Sequence, residues 1–281
     1  MQSVHQNFQF STPFLKGYKQ LRIPIIDADG MPAWPKLFPL EKIEDLREIV
    51  GPRHFSSQMM LEYINEEKAR LDPGALHFYE YDFDYKSAKL GDNLITGYAC
   101  YWDPSGGGFN SDGSVCIMIY RDDKNRKVFI HDIKYLTVSE NNLHPLATQC
   151  ESVLDFMQSH NQHKIAIEVN GIGNALPEIL REIADKRNQN VIVQKIVNHQ
   201  RKETRILDSV EPILTTGRMF AHERIKSTLL LSEMLGWSPV GVNQNDDGLD
   251  ALAGSLRIQP VPIRSMSAQL QQIKAKTDFK I

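Results

Sequence analysis

Cysteine is scarce in this chain. There are three, Cys100, Cys116 and Cys150, in 281 residues, none in a C-x-x-C pair and each inside an apolar or amphipathic run. This argues against a zinc site or a disulfide framework and points to reduced core thiols in a cytosolic protein. No apolar run is long enough to span a bilayer. The first twenty residues, polar and aromatic, carry no secretory signal pattern. Positive charge is not in excess: 32 Lys and Arg face 35 Asp and Glu, a formal net charge of −3. Any contact with nucleic acid must therefore come from a local basic patch. Internal repeats and low-complexity segments are missing too. What remains, 41% hydrophobic and 24% charged residues, suits a soluble chain that buries a full core as one large domain or two small ones.

Residues 1 to about 40 are rich in proline and aromatics, with one short strand expected over Leu21–Ile26 and a turn at Asp27-Ala28-Asp29-Gly30. Helical spacing of Leu40, Ile43, Leu46, Ile49 and Val50 predicts a helix ended by Gly51-Pro52. A second helix is expected from about Ser56 to Leu71. From Asn93 the pattern changes to three strand-like runs, Ile95–Trp102, Ser114–Tyr120 and Val128–Thr137, joined by short turns as in an antiparallel meander. A helix follows, striped by Ala147, Cys150, Val153, Leu154 and Met157. Then come a strand at 164–169, a helix at 176–186, a strand at 191–197, a helix at 204–215, a short strand at 219–222, a helical run from Ile225 to Leu235, and a last helix opened by Asp246-Asp247. This order predicts an α/β fold with a mixed sheet. A right-handed crossover sets the 164–169 strand parallel to the first strand, so both end on one edge.

That edge collects carboxylates. Asp103 ends the first strand before Pro104-Ser105-Gly106-Gly107-Gly108, and Glu168 ends the 164–169 strand. Asp247 opens the last helix, with Asp246 beside it and Asp250 three residues on. Each has an ordinary structural explanation: Asp before Pro is common turn chemistry, and acids favour helix N-termini. Together, three separated segments bring acids to the edge where open α/β sheets bind ligands. Hard oxygen donors of this kind suit Mg²⁺ or Mn²⁺, and two such ions are the usual apparatus of phosphodiester hydrolysis. Asp247 is expected to face the strand ends with Asp250, with Gly254 letting the helix lie close to the sheet. Asp246, about 100° round the helix, is expected mainly to cap it or to sit outside the ligand shell. Asp112 either adds a ligand or closes the hairpin.

These motifs, taken in order, resemble a known family. Trp102-Asp103-Pro104-Ser105-Gly106-Gly107 with Asp112, Ile167-Glu168-Val169-Asn170, and Asp246-Asp247-x-x-Asp250-Ala251-Leu252-Ala253 resemble the three acidic motifs of the nuclease part of tailed-bacteriophage terminase large subunits. In short-tailed phages that protein is called DNA maturase, and its nuclease has the RNase H-like fold. Lys202-x-x-Arg205-Ile206-Leu207-Asp208-x-x-Glu211-Pro212 through Gly217-Arg218 is the most specific match. Trp34-Pro35, Phe38, Leu46-Arg47-Glu48 and Phe55 resemble the segment joining ATPase to nuclease. The resemblance covers roughly Leu21 to Leu256. It implies a metal-dependent endonuclease cutting concatemeric double-stranded DNA during genome packaging, in the host cytoplasm. Asp103, Glu168 and Asp247 would be catalytic and would hold two ions of Mg²⁺ or Mn²⁺, with Asp112 and Asp250 as further ligands. Expected partners are double-stranded DNA, a terminase small subunit, a portal and an ATPase motor, since no G-x-x-x-x-G-K-[ST] phosphate loop occurs here. The implied organisation is a connector over 1–90, a nuclease domain over 91–258 and a tail over 259–281.

Lys195, His199, Arg201, Lys202 and Arg205 form a basic cluster after the 191–197 strand, on the edge of the acids. A charge run is usually a solvated face; the resemblance turns this one into an expected DNA contact, with Arg218, Arg224 and Lys226 as weaker candidates. His131 and His222 are expected to be ordinary sheet residues. Two other functions stay open at this point: a non-catalytic DNA-binding or docking module of a defective prophage, and another RNase H-like nuclease such as a junction resolvase.

Overall fold

The computed structural model describes residues 21–61, 71–105, 113–138, 142–170, 174–241 and 244–263. In chain order the elements are α1 (Leu40–His54), β1 (His77–Tyr79), β2 (Phe83–Asp84), β3 (Lys89–Leu90), β4 (Asn93–Leu94), β5 (Gly97–Asp103), β6 (Ser114–Asp122), β7 (Lys127–Leu136), α2 (Pro145–Ser159), β8 (Lys164–Glu168), α3 (Leu176–Lys186), β9 (Ile192–Ile196), α4 (Lys202–Thr215), β10 (Met219–His222), α5 (Leu230–Gly236), α6 (Asp247–Arg257) and β11 (Val261–Pro262). The main sheet runs β1-β10-β7-β6-β5-β8-β9, with β11 added to β5. β5, β6 and β7 form the expected antiparallel meander. β8 lies parallel to β5, and β9 parallel to β8. This is the expected mixed sheet of antiparallel and parallel strands, flanked by helices.

Alternation within β5 and β6 explains why both are buried on two faces. Ala99, Tyr101, Ile117 and Ile119 point into a core shared with Ile206 and Val210 of α4 and Leu252 and Ala253 of α6. Cys100, Trp102, Cys116 and Met118 point the other way, against Val153 and Leu154 of α2 and Leu180 of α3. All three cysteines are free and buried.

The chain departs from the expected elements in several places, among them a separate small sheet of β2, β3 and β4. The main sheet extends past 91–258 at both ends: β1 pairs with β10, and β11 pairs with β5 at Tyr98 and Gly97. Both added strands are two or three residues long, too short to show alternation. α1 does not stop at Gly51-Pro52 but reaches His54 and runs into a π turn over Phe55–Met59; the rest of the helix expected to Leu71 lies mostly outside the described residues. Leu21–Ile26 yields a single bridge, Ile26 to Pro32, around a turn in which Asp27 Oδ1 accepts from the amides of Asp29 and Met31. The run from Ile225 to Leu235 is broken into a 3-10 turn over Glu223–Ser227 and α5. There the hydroxyls of Ser227 and Thr228 donate to the carbonyls of Arg224 and Ile225 and compete with helical continuation.

His131 and His222 are buried at the sheet. Tyr79 Oη lies 3.1 Å from His131 Nδ1. Burial, with Arg224 nearby, pushes the His131 imidazole down to about 3, so this ring is neutral at physiological pH.

Candidate active site

β5 and β8 pair at Tyr101 with Ala166 and at Trp102 with Ile167. The next residue on each strand is an acid, so Asp103 and Glu168 end side by side. Tyr101 shares its face with Asp103 by the two-residue period. Its hydroxyl donates to Glu168 Oε2 at 2.8 Å. Asn198, just past β9, donates to the same oxygen at 2.6 Å. Asn198 is itself fixed by a reciprocal pair with Asn170: its amide donates to Asn170 Oδ1 at 3.2 Å and its carbonyl accepts from Asn170 Nδ2 at 2.8 Å. Burial, with Glu168 beside it, drives the Tyr101 phenol far above its usual range, so it stays a donor.

α6 brings the other acids. It lies close to the sheet because residue 254 is glycine: a Cβ there would run into the Tyr101 ring. Its N-terminus is capped from α5, where Glu233 Oε2 accepts from the Leu249 amide at 3.0 Å and Oε1 accepts from Tyr135 Oη at 3.0 Å. Asp246 occupies the N-cap position but makes no side-chain capping bond. The expectation that it mainly caps the helix is thus corrected: Glu233 takes that task, and the Asp246 carboxylate meets Lys202 Nζ at 2.6 Å. Asp247 Oδ2 accepts from the Gly113 amide at 2.7 Å, an approach that a Cβ at Gly113, 2.6 Å from that oxygen, would obstruct. Asp250 is buried and points inward.

Two cations of α4 meet these acids. Arg205 donates from Nε to Asp250 Oδ1 at 2.8 Å and also from Nη2 to that oxygen; its Nη1 lies 3.8 Å from Glu168 Oε1. Lys202 Nζ lies 3.6 Å from Asp247 Oδ1 and 3.7 Å from Asp250 Oδ2. Burial alone would lower the Lys202 ammonium, but the hydrogen bond to Asp246 and the charges of Asp250 and Asp247 raise it overall. Asp103 has no cation within ion-pair distance among the described residues. Burial first, then Asp250 and Glu168, raises its carboxyl well above the usual range. Asp250 is raised by burial too, against the pull of Arg205 and Lys202.

Five carboxylates, Asp103, Glu168, Asp246, Asp247 and Asp250, thus share one edge with Lys202 and Arg205. Among the described residues, no three His, Cys, Asp or Glu side chains are drawn together closely enough to hold an ion. The chemistry of the donors nevertheless fits a hard divalent cation: all are carboxylate oxygens, the acids outnumber the cations, and Asp103 is buried among like charges. Asp112 lies outside the described residues.

The expected basic cluster divides. Arg201 is at the start of α4 with its side chain 84% exposed. Lys195, half exposed, pairs with Glu178 at 3.1 Å. Arg205 is only 6% exposed and turned onto the acids, so it is corrected from a DNA contact to a partner of the carboxylates. Its apolar helical neighbours Ile206 and Val210 carry that face of α4 into the core. Arg218 lies apart from the acids. It precedes β10 and lines a cleft with Arg121, Arg126 and Lys127. That cleft sits at the start of β5, the far end of the seven-residue strand from Asp103, roughly 20 Å away at strand rise. Sequence reasoning missed Tyr101, Asn198 and Glu233. Tyr101 was accessible from its i−2 spacing to Asp103; the other two carry no local signal.

Comparison with known proteins gives two findings. Residues 102–219 match the family described as Terminase Bacteriophage T7, Ribonuclease H-like domain, and no curated protein matches the chain by sequence. Among solved structures, the P22 large terminase nuclease domain is 13% identical, with 71% of this chain and 97% of that one covered and a TM-score of 0.47. The nuclease domain of the bacteriophage SPP1 large terminase with bound Mn is 11% identical, covering 66% and 97%, at 0.41. The human cytomegalovirus terminase nuclease domain, Mn soaked, is 12% identical, covering 61% and 87%, at 0.43.

Proposed function

We propose that this chain, whose residues 102–219 match the terminase ribonuclease H-like domain family, is a metal-dependent endonuclease that cuts concatemeric double-stranded phage DNA during genome packaging. One observation carries the reading. Three carboxylates from three separate segments, Asp103, Glu168 and Asp250, weigh on one another at the C-terminal edge of two parallel strands. A structural role alone gives no reason to bury like charges there.

Asp103, Glu168 and Asp247 would hold divalent cations, with Asp250, buried against Arg205, as a further ligand. Bound Mg²⁺ or Mn²⁺ would supply Lewis-acid polarisation of the phosphate and a more acidic bound water. The protein's own part is positional. Tyr101 and Asn198 fix one oxygen of Glu168 and leave the other toward Arg205. Arg205 sets the rotamer of Asp250, and the Gly113 amide holds Asp247. Arg201, Lys195 and Lys202 would meet the phosphate backbone, a contact that positions DNA without reading its sequence. Residues 91–258, with β1 and β11 attached, would form the nuclease unit, and 21–61, with its own small cluster of Ile25, Ile43 and Phe55, the connector to a motor. An ATPase, a small subunit and a portal would complete the packaging machine in the host cytoplasm.

The test is cleavage of plasmid and linear duplex with Mg²⁺, with Mn²⁺ and with chelator, beside a four-way junction and an RNA–DNA hybrid. Metal-dependent cutting of duplex DNA is the expected result. No cutting by folded protein with either metal, or cutting confined to the junction or hybrid, refutes the proposal.

A further inference from the structure

α4 sends two cations to one set of acids from neighbouring turns, and holds them differently. The Arg205 guanidinium is buried and forked onto Asp250. The Lys202 ammonium is 31% exposed and shared among Asp246, Asp247 and Asp250. A planar guanidinium in a buried fork is fixed by its geometry. An ammonium is a hydrated point charge on a flexible four-carbon stem, and it changes partners readily. Asp250 carries the fixed cation on Oδ1 and the mobile one on Oδ2.

From this division we infer that Lys202 is an exchangeable counter-ion of the site. Without metal it neutralises the acids of α6. When a divalent cation supplies that charge, the ammonium leaves and takes a phosphate oxygen of the DNA. The inference rests on the nuclease reading and adds a positioning residue to it. The direction of release follows from the surroundings. Lys202 follows Arg201, the N-cap residue of α4, whose guanidinium is 84% exposed and 3.6 Å from Glu203, so the freed ammonium moves out toward the solvent-exposed head of that helix. Arg205 has no such exit.

The test measures Mn²⁺ binding to the whole chain by calorimetry, without DNA, for wild type, K202M and K202R. Removing the competing ammonium should tighten Mn²⁺ binding by about two- to fivefold, the scale of one partly screened ion pair. It should also lower the melting temperature in chelator. K202R, which can fork onto the carboxylates, should bind Mn²⁺ more weakly than wild type. If K202M does not fold, K202Q carries the same comparison. A second arm follows duplex binding against salt with Ca²⁺ and with chelator. The log–log slope of wild type should exceed that of K202M by about one with Ca²⁺, and the two should coincide in chelator. Equal or weaker Mn²⁺ affinity in the uncharged variants overturns the counter-ion role. A slope difference already present in chelator overturns the transfer to phosphate. Failure of wild type to bind Mn²⁺ at all is a separate outcome, which removes the nuclease reading itself.

Discussion

Replacing Arg205 by Met probes the electrostatics of the site most directly. Methionine fills much of the volume of the arginine stem, so the cavity term stays small and the lost charge dominates. The side chains involved are 6% and 7% exposed for Arg205 and Asp250. Breaking a buried pair by removing one partner costs about 3–5 kcal/mol. Lys202, 3.7 Å from Asp250 Oδ2, remains as partial compensation, which places the expectation near the lower end of that range. For a chain of this size such a loss lowers the melting temperature on the order of 10 °C.

The pH dependence has a definite sign. Burial raises Asp250 in the folded protein, and Arg205 is the first group opposing that rise. Without Arg205 the folded carboxyl is raised further, while the unfolded value is unchanged. Ionised Asp250 therefore destabilises the variant above the unfolded carboxylate range, and the deficit shrinks as protons take the place of the guanidinium. Urea unfolding of wild type and R205M between about pH 8 and about pH 5 should show the gap narrowing on the acid side. A loss below about 1 kcal/mol at neutral pH, or one constant across that span, would show that Asp250 does not depend on Arg205 for its charge.

Asp103→Asn should abolish cleavage and, in chelator, raise the melting temperature at neutral pH, because the fold disfavours the ionised carboxyl; assays of plasmid nicking and melting check both halves. Gly254→Ala should cost about 1–3 kcal/mol by overpacking against Tyr101, read by urea unfolding, with cleavage falling as the Tyr101 hydroxyl is displaced from Glu168. Glu233→Ala should cost about 1–2 kcal/mol, the worth of a lost cap, with no change in the salt dependence of DNA binding. Arg201→Ala should leave stability unchanged and lower the log–log salt slope of duplex binding by about one.

The mixed sheet was legible because its central strands carry strong signals: long apolar runs, short turns, then a helix between the third strand and the one parallel to the first. Crossover handedness then set Asp103 and Glu168 on one edge before any coordinates. The close seating of α6 was legible from Gly254, which has no other reason to interrupt an apolar helix face. The edge strands were not legible: His77–Tyr79 and Val261–Pro262 are recruited by the open hydrogen bonds of β10 and β5, not by any pattern of their own.

The cations show why a basic run read along the chain misleads. Lys202 and Arg205 are one helical turn apart and equally charged, so periodicity places both on one face and says nothing of depth. Depth comes from Ile206 and Val210, which draw that face of α4 into the core and carry Arg205 down with them, while Lys202 stays at the mouth. The acids of α6 pose the same problem. A helix N-terminus explains Asp246 and Asp247 locally, and that explanation gives way only once Glu233, fourteen residues from Asp247 in the chain, is seen to accept from the Leu249 amide. With the cap supplied from α5, the three aspartates of α6 have no helical duty left. Among the described residues their ion pairs come from Lys202 and Arg205 of α4, and with Asp103 and Glu168 added, five carboxylates face two cations.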